Sequence, residues 1–380
     1  MSVGTRRARS GARRAVVVAT AAALLAGCAD FSGSEAAPFT GPPTGQVTTT
    51  KRPTTPSQKP KFPGPCVDMD RAVTATCLDT PTTIIPTDTA EHSIVAQRNG
   101  LITYTTTDQP SREMLRLDVD TSGDGGLSSI ALSPTYDEDR LIFALISTPT
   151  DNRVVRVTQG DAPKVIFTGI PKGRTGNMGS LLWTRQGLVV ASGNAGDPAA
   201  AADPNSLAGK VFLLEGHGPN QPATARVLAN NGGVRSSLCQ QWGESNAPLY
   251  VADDNGRSGD TLRVVYPARP AETVWTWADR PGALGCGVAG DWVGVSQRGA
   301  DNVYWIKLKP GSATAEQDPI RMNVEQGRTF GSFGRIGGGS DPKTVLAGTV
   351  NKAVGTPSPT DDRVVLLTPP DPASNGEGPD

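Results

Sequence analysis

The chain has 380 residues, 37% of them hydrophobic and 19% charged, with 44 glycines, 32 prolines and a formal charge of −1. Such a near-neutral, acid-leaning balance excludes the basic footprint that a nucleic-acid partner requires. No HExxH, GxSxG, GxxxxGK[ST] or strand-coupled GxGxxG sequence occurs, which removes the usual metalloprotease, α/β-hydrolase, P-loop and dinucleotide-binding readings.

Residues 1–14 carry Arg6, Arg7, Arg9, Arg13 and Arg14 without an acidic residue, and residues 15–27 carry no charge. A positive flank followed by an apolar core too short to span a bilayer reads as a signal peptide, residues 1–27. The segment ends in Leu25-Ala26-Gly27-Cys28, which resembles the lipobox of bacterial lipoproteins. Cys28 is therefore expected to carry the lipid and hold the chain at the outer face of the cell membrane; an ordinary secretory cleavage nearby is the alternative. Losing the five arginines leaves the mature chain near −6. Residues 28–65 are rich in Pro, Thr, Gly, Ser and Lys, with little apolar area to offset the entropy of ordering, and read as a disordered spacer.

Residues 66–370 are expected to form one domain, followed by a flexible tail over 371–380. Export favours disulfides. Apart from Cys28 the cysteines are Cys66, Cys77, Cys239 and Cys286, which allow three pairings. Nearest-in-sequence pairing, Cys66 with Cys77 and Cys239 with Cys286, is preferred over four reduced, buried thiols. The spacings and the scarcity of histidine (His92 and His217) disfavour zinc.

No stretch shows convincing 3.6-residue periodicity. Short apolar runs bounded by Gly, Pro, Asp and Asn recur at 92–97, 140–147, 153–157, 187–192, 210–215, 248–253, 261–266, 292–297, 302–308, 343–349 and 362–368. Residues 126–132 and 180–183 look like further strands, each leading through a turn into the next run. So many short strands create many sheet edges, and radial repetition protects them; the pattern points to a β-propeller, with a double sandwich or β-helix as alternatives. The last strand, 362–368, is expected to close the ring against the first blade and fix both ends of the domain in one sheet.

Several segments resemble the soluble quinoprotein glucose dehydrogenase and sorbosone dehydrogenase family. GLSSIALSPTYDEDRLIFALIS (126–147) is similar to that family's strand–turn–strand unit, with Pro134 and Tyr136 at the turn. RVVRV (153–157), GNMGSLLWTRQGLVVASGNAGD (176–197) and NSLAGKVFLL (205–214) are similar to the segments that follow. The resemblance spans roughly residues 80–368 and implies an all-β, six-bladed β-propeller. Enzymatic members use pyrroloquinoline quinone (PQQ) and calcium to oxidise sugars, with a histidine as proton acceptor.

The same resemblance implies where the site would lie. The histidine position is Gly176, which has no side chain to accept a proton, whereas Asn177, Gly179 and Ser180 keep the surrounding motif. Arg235 and Arg328 are the cofactor-binding candidates, since a polycarboxylate favours guanidinium forks. Arg335, Lys307 and Lys309 are further cations. Asp253, Asp254 and Gly256 are the metal candidates, although Arg257 replaces the proline expected beside Gly256. A second acidic run, DVDTSGDGG (118–126), partly matches an EF-hand loop through Asp118, Asp120 and Ser122, but position 12 is Ser129 rather than glutamate. Asn177 and Trp242 are the candidate ligand contacts.

Two function classes follow. One is a monomeric recognition propeller for a cell-envelope glycan or protein, supported by the missing base and by a tether and spacer that resemble those of actinobacterial cell-envelope lipoproteins. The other is a PQQ-dependent aldose dehydrogenase with a displaced base.

Overall fold

The computed structural model describes residues 65–216, 223–255, 259–298, 302–322 and 330–370. The expected lipidation site, Cys28, and both the signal and tail segments lie outside them. The strands of the described residues assemble into an all-β, six-bladed β-propeller. The chain begins with β1 (Val73–Ala75). Blade one is β2 (Pro81–Pro86), β3 (His92–Gln97), β4 (Leu101–Thr106) and β5 (Arg112–Arg116); blade two is β6 (Leu127–Leu132), β7 (Ile142–Ser147), β8 (Asn152–Val157) and β9 (Lys164–Ile170). Blade three is β10 (Ser180–Thr184), β11 (Gly187–Ala191), β12 (Lys210–Glu215) and β13 (Thr224–Asn230); blade four is β14 (Arg235–Cys239), β15 (Leu249–Asp254), β16 (Asp260–Val265) and β17 (Glu272–Trp277). Blade five is β18 (Ala283–Ala289), β19 (Trp292–Gln297), β20 (Asn302–Lys307) and β21 (Ile320–Arg321). Blade six is β22 (Phe333–Gly338), β23 (Val345–Thr349) and β24 (Val364–Leu367), with β1 as its outer strand. No helix of the described residues is long and apolar enough to cross a membrane.

The core is divided among the blades. Buried apolar clusters lie between each successive pair, for example Ile94, Ile102, Ile130 and Ile142 between blades one and two. Another joins Leu262, Val264, Val293 and Ile306 between blades four and five. Each second strand is covered on both faces by neighbouring sheets, so β3, β7, β11, β15, β19 and β23 are buried almost throughout. That double coverage is why these strands read as continuous apolar runs rather than alternating ones. Burying one such Val, Leu or Ile contributes about 1.5–3 kcal/mol, so stability is spread round the ring.

The innermost strands β2, β6, β10, β14, β18 and β22 contact one another in a closed circle. Convergence on the axis leaves little room for side chains. A β-carbon on Gly337 of β22 would fall 2.1 Å from the Ile84 carbonyl of β2, and one on Gly285 of β18 would fall 2.6 Å from the Gly334 carbonyl.

Ring closure places both ends of the domain in one sheet, as expected, but in a different blade. Instead of meeting the first blade, β24 pairs antiparallel with β1, which precedes that blade, so the two ends of the domain share the sixth sheet. Arg363 locks the junction: it donates to Asp361 at 2.9 Å, to Asp68 at 3.1 Å and to the Phe330 carbonyl at 2.9 Å. The disulfide Cys66–Cys77 sits beside this junction, where the Cys77 amide donates to the Thr360 carbonyl at 2.9 Å. The second disulfide, Cys239–Cys286, ties β14 to β18 across blades four and five.

Candidate functional site

The innermost strands run parallel, so the ring has an upper end, where they begin, and a lower end, where they finish. Asn177, Arg235, Asp253 and Asp254 all lie at the upper end: Asn177 three residues ahead of β10, Arg235 opening β14, and the two aspartates closing β15. Gly256 and Arg328 lie outside the described residues.

Asp124, which lies in the acidic run 118–126 but is none of its candidate metal ligands, organises this end. It lies three residues ahead of β6, the place Asn177 holds ahead of β10. Its carboxylate accepts four hydrogen bonds: from the amides of Gly176 at 2.9 Å and Asn177 at 3.1 Å, from the Asn177 side chain at 2.8 Å, and from Arg235 at 3.1 Å. A carboxylate offers about four lone-pair sites, so this one is filled. Arg235 also donates to its cross-strand partner Asp254 at 3.0 Å. The guanidinium therefore faces two carboxylates of its own chain, all three side chains less than one-fifth exposed.

Asn177 is 2% exposed. Its amide group donates to Asp124 and to the Gly173 carbonyl at 2.9 Å, and its oxygen accepts from the Gly173 amide at 2.9 Å and from Asn152 at 3.3 Å. All four hydrogen-bonding positions of the side chain are used within the chain, and they brace the turn before β10.

Gly176 has φ +75°, and a β-carbon there would lie 2.6 Å from Asn194 Oδ1, 2.7 Å from the Gly196 nitrogen and 2.9 Å from the Ala195 nitrogen. The expected imidazole is thus not merely absent. The space its stem would need is occupied by the buried Asn194 and the backbone behind it.

Of the metal candidates, Asp253 and Asp254 lie within the described residues and Gly256 does not. Neighbouring residues of a strand face opposite ways, and the two aspartates have separate partners: Asp254 pairs with Arg235, while Asp253 accepts a hydrogen bond from Ser236. Among the described residues no group of three or more acidic, histidine or cysteine side chains could hold a metal ion. In the acidic run 118–126, Asp120 pairs with Lys172, whose ammonium holds its carboxyl at about 2. Ser129 lies inside β6, its hydroxyl accepting from the Leu181 amide at 3.0 Å and from Thr83 at 3.2 Å.

Asp253 is fully buried, and burial pushes its carboxyl up to about 7 against the opposing effects of the Ser236 hydrogen bond and the Arg263 charge. The folded state then holds this proton more tightly than the unfolded chain. Its contribution to stability is greatest below about pH 4 and falls as the pH rises through about 7. In denaturant titrations, Asp253→Asn is expected to gain on the wild type by about 2–4 kcal/mol between pH 4 and pH 8; parallel profiles would contradict this assignment.

Arg335 of β22 reaches across the axis, donating to the Ser236 carbonyl of β14 at 2.9 Å and to the Gly179 carbonyl ahead of β10 at 2.8 Å. It is 8% exposed, and burial, followed by the nearby positive charge of Arg235, lowers its pKa to about 10. Lys307 belongs to β20, the third strand from the axis, and pairs with Glu316 at 3.2 Å. His92 begins β3 and meets Asp88 at 2.8 Å; His217 lies outside the described residues.

Trp242 is at the other end. It lines a cavity of about 1220 Å³ at the lower end, bounded by β2, β6, β10, β14 and β22 and the loops that leave them. Nothing in its sequence neighbourhood separates it from the Arg235 group; the connection it occupies, β14 to β15, opens on the face opposite the connections into β10 and β14.

PQQ and calcium are the groups that the sequence resemblance implies, and the described residues do not fit them. Arg235 already faces two carboxylates, which would repel the carboxylates of a quinone, and no described donor set suits a hard cation.

A family model described as glucose/sorbosone dehydrogenase matches residues 78–267, half of the 380-residue chain. Among solved structures, the PQQ-bound form of aldose sugar dehydrogenase from Streptomyces coelicolor is similar over 78% of this chain and 96% of its own, at 23% identity and TM-score 0.66. The apo form of the soluble aldose sugar dehydrogenase from Escherichia coli is similar over 78% of this chain and 99% of its own, at 16% identity and TM-score 0.62. Likeness at these identities establishes the shared fold. No curated protein matches the chain. On the family match and the six-bladed ring, the chain belongs to the glucose/sorbosone dehydrogenase family.

Proposed function

We propose that this chain is a lipid-anchored, extracytoplasmic propeller that recognises a cell-envelope glycan or protein as a monomer and has lost the oxidoreductase chemistry of its family. The observation that carries this reading is the packing around Gly176: a side chain has no room where the proton acceptor would stand, and the adjoining Asp124 is saturated by four donors. A general base typically contributes 10²- to 10⁴-fold in rate, so its loss leaves little reason to retain the chemistry. Membrane attachment through Cys28, with residues 28–65 as spacer, suits a recognition module of the actinobacterial cell-envelope kind that must reach outward.

One observation favours the alternative, a PQQ-dependent aldose dehydrogenase with a displaced base: a carboxylate, Asp124, stands next to Gly176. To serve as base it would have to release at least one of its donors. Titrating the full chain with PQQ, with and without calcium, tests the choice between the two, and the recognition reading expects no binding.

A further inference from the structure

The lower cavity has features that lie outside the Asp124–Arg235–Asp254 network. At its inner end stands Arg335, a buried guanidinium whose partners are two backbone carbonyls; among the described residues it forms no ion pair. An uncompensated buried cation is costly unless an anion reaches it. At its mouth stands Trp242, 40% exposed. The loop that carries it is held at several points. The disulfide Cys239–Cys286 anchors its loop at the root, the Gly290 amide donates to Gln241 at 2.9 Å, and Gln240 donates to the Ser245 carbonyl at 3.3 Å. Gly338 at the end of β22 makes room for it: a β-carbon there would fall 2.7 Å from that of Trp242. Arg112, Arg140 and Arg185 also line the cavity, so that with Arg335 its lining holds four arginines and the three carboxylates Asp88, Asp137 and Glu244.

From this arrangement we infer that the lower cavity binds a saccharide bearing an anionic group, its ring stacked on Trp242 and its charge directed toward Arg335. A pyranose presents an apolar C–H face suited to an indole, and hydroxyls and an anion suited to arginine. The volume accommodates a disaccharide or longer. A carboxylate and a phosphate would satisfy the same guanidinium. This inference rests on the recognition reading and adds the place and the ligand class.

The test uses the full chain purified in detergent. Intrinsic tryptophan fluorescence and calorimetry would follow titration with cellobiouronic acid and its neutral counterpart cellobiose, and with glucose 1-phosphate and glucose. An anionic probe should bind about tenfold tighter than its neutral counterpart, and the tighter of the two anionic probes identifies the source of the charge. Trp242→Ala should weaken that binding by about tenfold, and Arg335→Met should erase the preference for charge. Should Arg335→Met fail to fold, Trp242→Ala, at a half-exposed position, still decides the matter. Equal affinity for charged and neutral probes, an unchanged affinity in Trp242→Ala, or no binding of any probe at roughly 10 mM would overturn the assignment. Dye-linked glucose oxidation in the same preparation, with PQQ and calcium added, separates the two failures: turnover refutes the recognition reading itself, whereas missing saccharide binding without turnover refutes only the lower site.

Discussion

Replacing Arg363 with methionine is expected to destabilise the domain by about 3–5 kcal/mol, seen as a lower denaturant midpoint. Asp68 comes from the segment ahead of β1 and Asp361 from the approach to β24, and both carboxylates are nearly inaccessible to solvent. Removing the guanidinium strands two buried charges at the seam where the ring joins. The Phe330 carbonyl loses its donor and the Phe330 ring loses a cation 5.5 Å from its centroid. Asp68→Asn should cost less, because the Thr360 hydroxyl, 2.8 Å away, can still donate to the remaining side-chain oxygen. A loss below about 1 kcal/mol for Arg363→Met, the range of an exposed pair, would mean that the β1–β24 pairing holds the seam without this cluster.

Restoring the family's histidine should not restore the family's chemistry. Gly176→His places a β-carbon in the left-handed region at φ +75°, which costs about 1–2 kcal/mol before any contact is counted. The stem then meets Asn194 and the nitrogens of Ala195 and Gly196 at 2.6–2.9 Å, so the 194–196 turn has to move. That turn is held by Asn194, which accepts from the Gly196 amide at 2.9 Å and donates to the Gly232 carbonyl at 3.2 Å. The expected outcome is a destabilised chain with no dye-linked glucose oxidation when PQQ and calcium are supplied. Turnover above the wild-type background would show that the upper end can open to admit both cofactor and sugar.

Apart from β6 and β10, innermost strands that the sequence does show, legibility follows position in the blade. Second strands such as Ile142–Ser147 and Trp292–Gln297 announce themselves because both faces are covered. Innermost strands are crowded and therefore carry glycine, serine and threonine; Phe333–Gly338, with three glycines in six residues, hardly looks like a strand. Outer strands such as Arg112–Arg116 and Thr224–Asn230 are largely solvated and lose the apolar signal altogether.

The site shows a similar division. Family resemblance brought out Asn177, Arg235, Asp253 and Asp254 at one end, but the roles it implied depended on free side chains, and the fold has spent those side chains on one another. Asp124 was hidden inside an acidic run whose spacing half-matched a calcium loop. Its equivalence to Asn177, each three residues ahead of an innermost strand, was the available signal. Trp242 stands out in the sequence only as a tryptophan beside Cys239 and Gly243; that its connection opens on the other end of the ring follows from strand order within the blade.

The proposed loss of oxidoreductase chemistry depends on a filled upper end, and calorimetric titration of PQQ into the full wild-type chain, with and without calcium, tests it most directly. It predicts heats no larger than dilution in both titrations, because Arg235 already serves Asp124 and Asp254. Saturable PQQ binding that calcium strengthens and Arg235→Ala abolishes would contradict it.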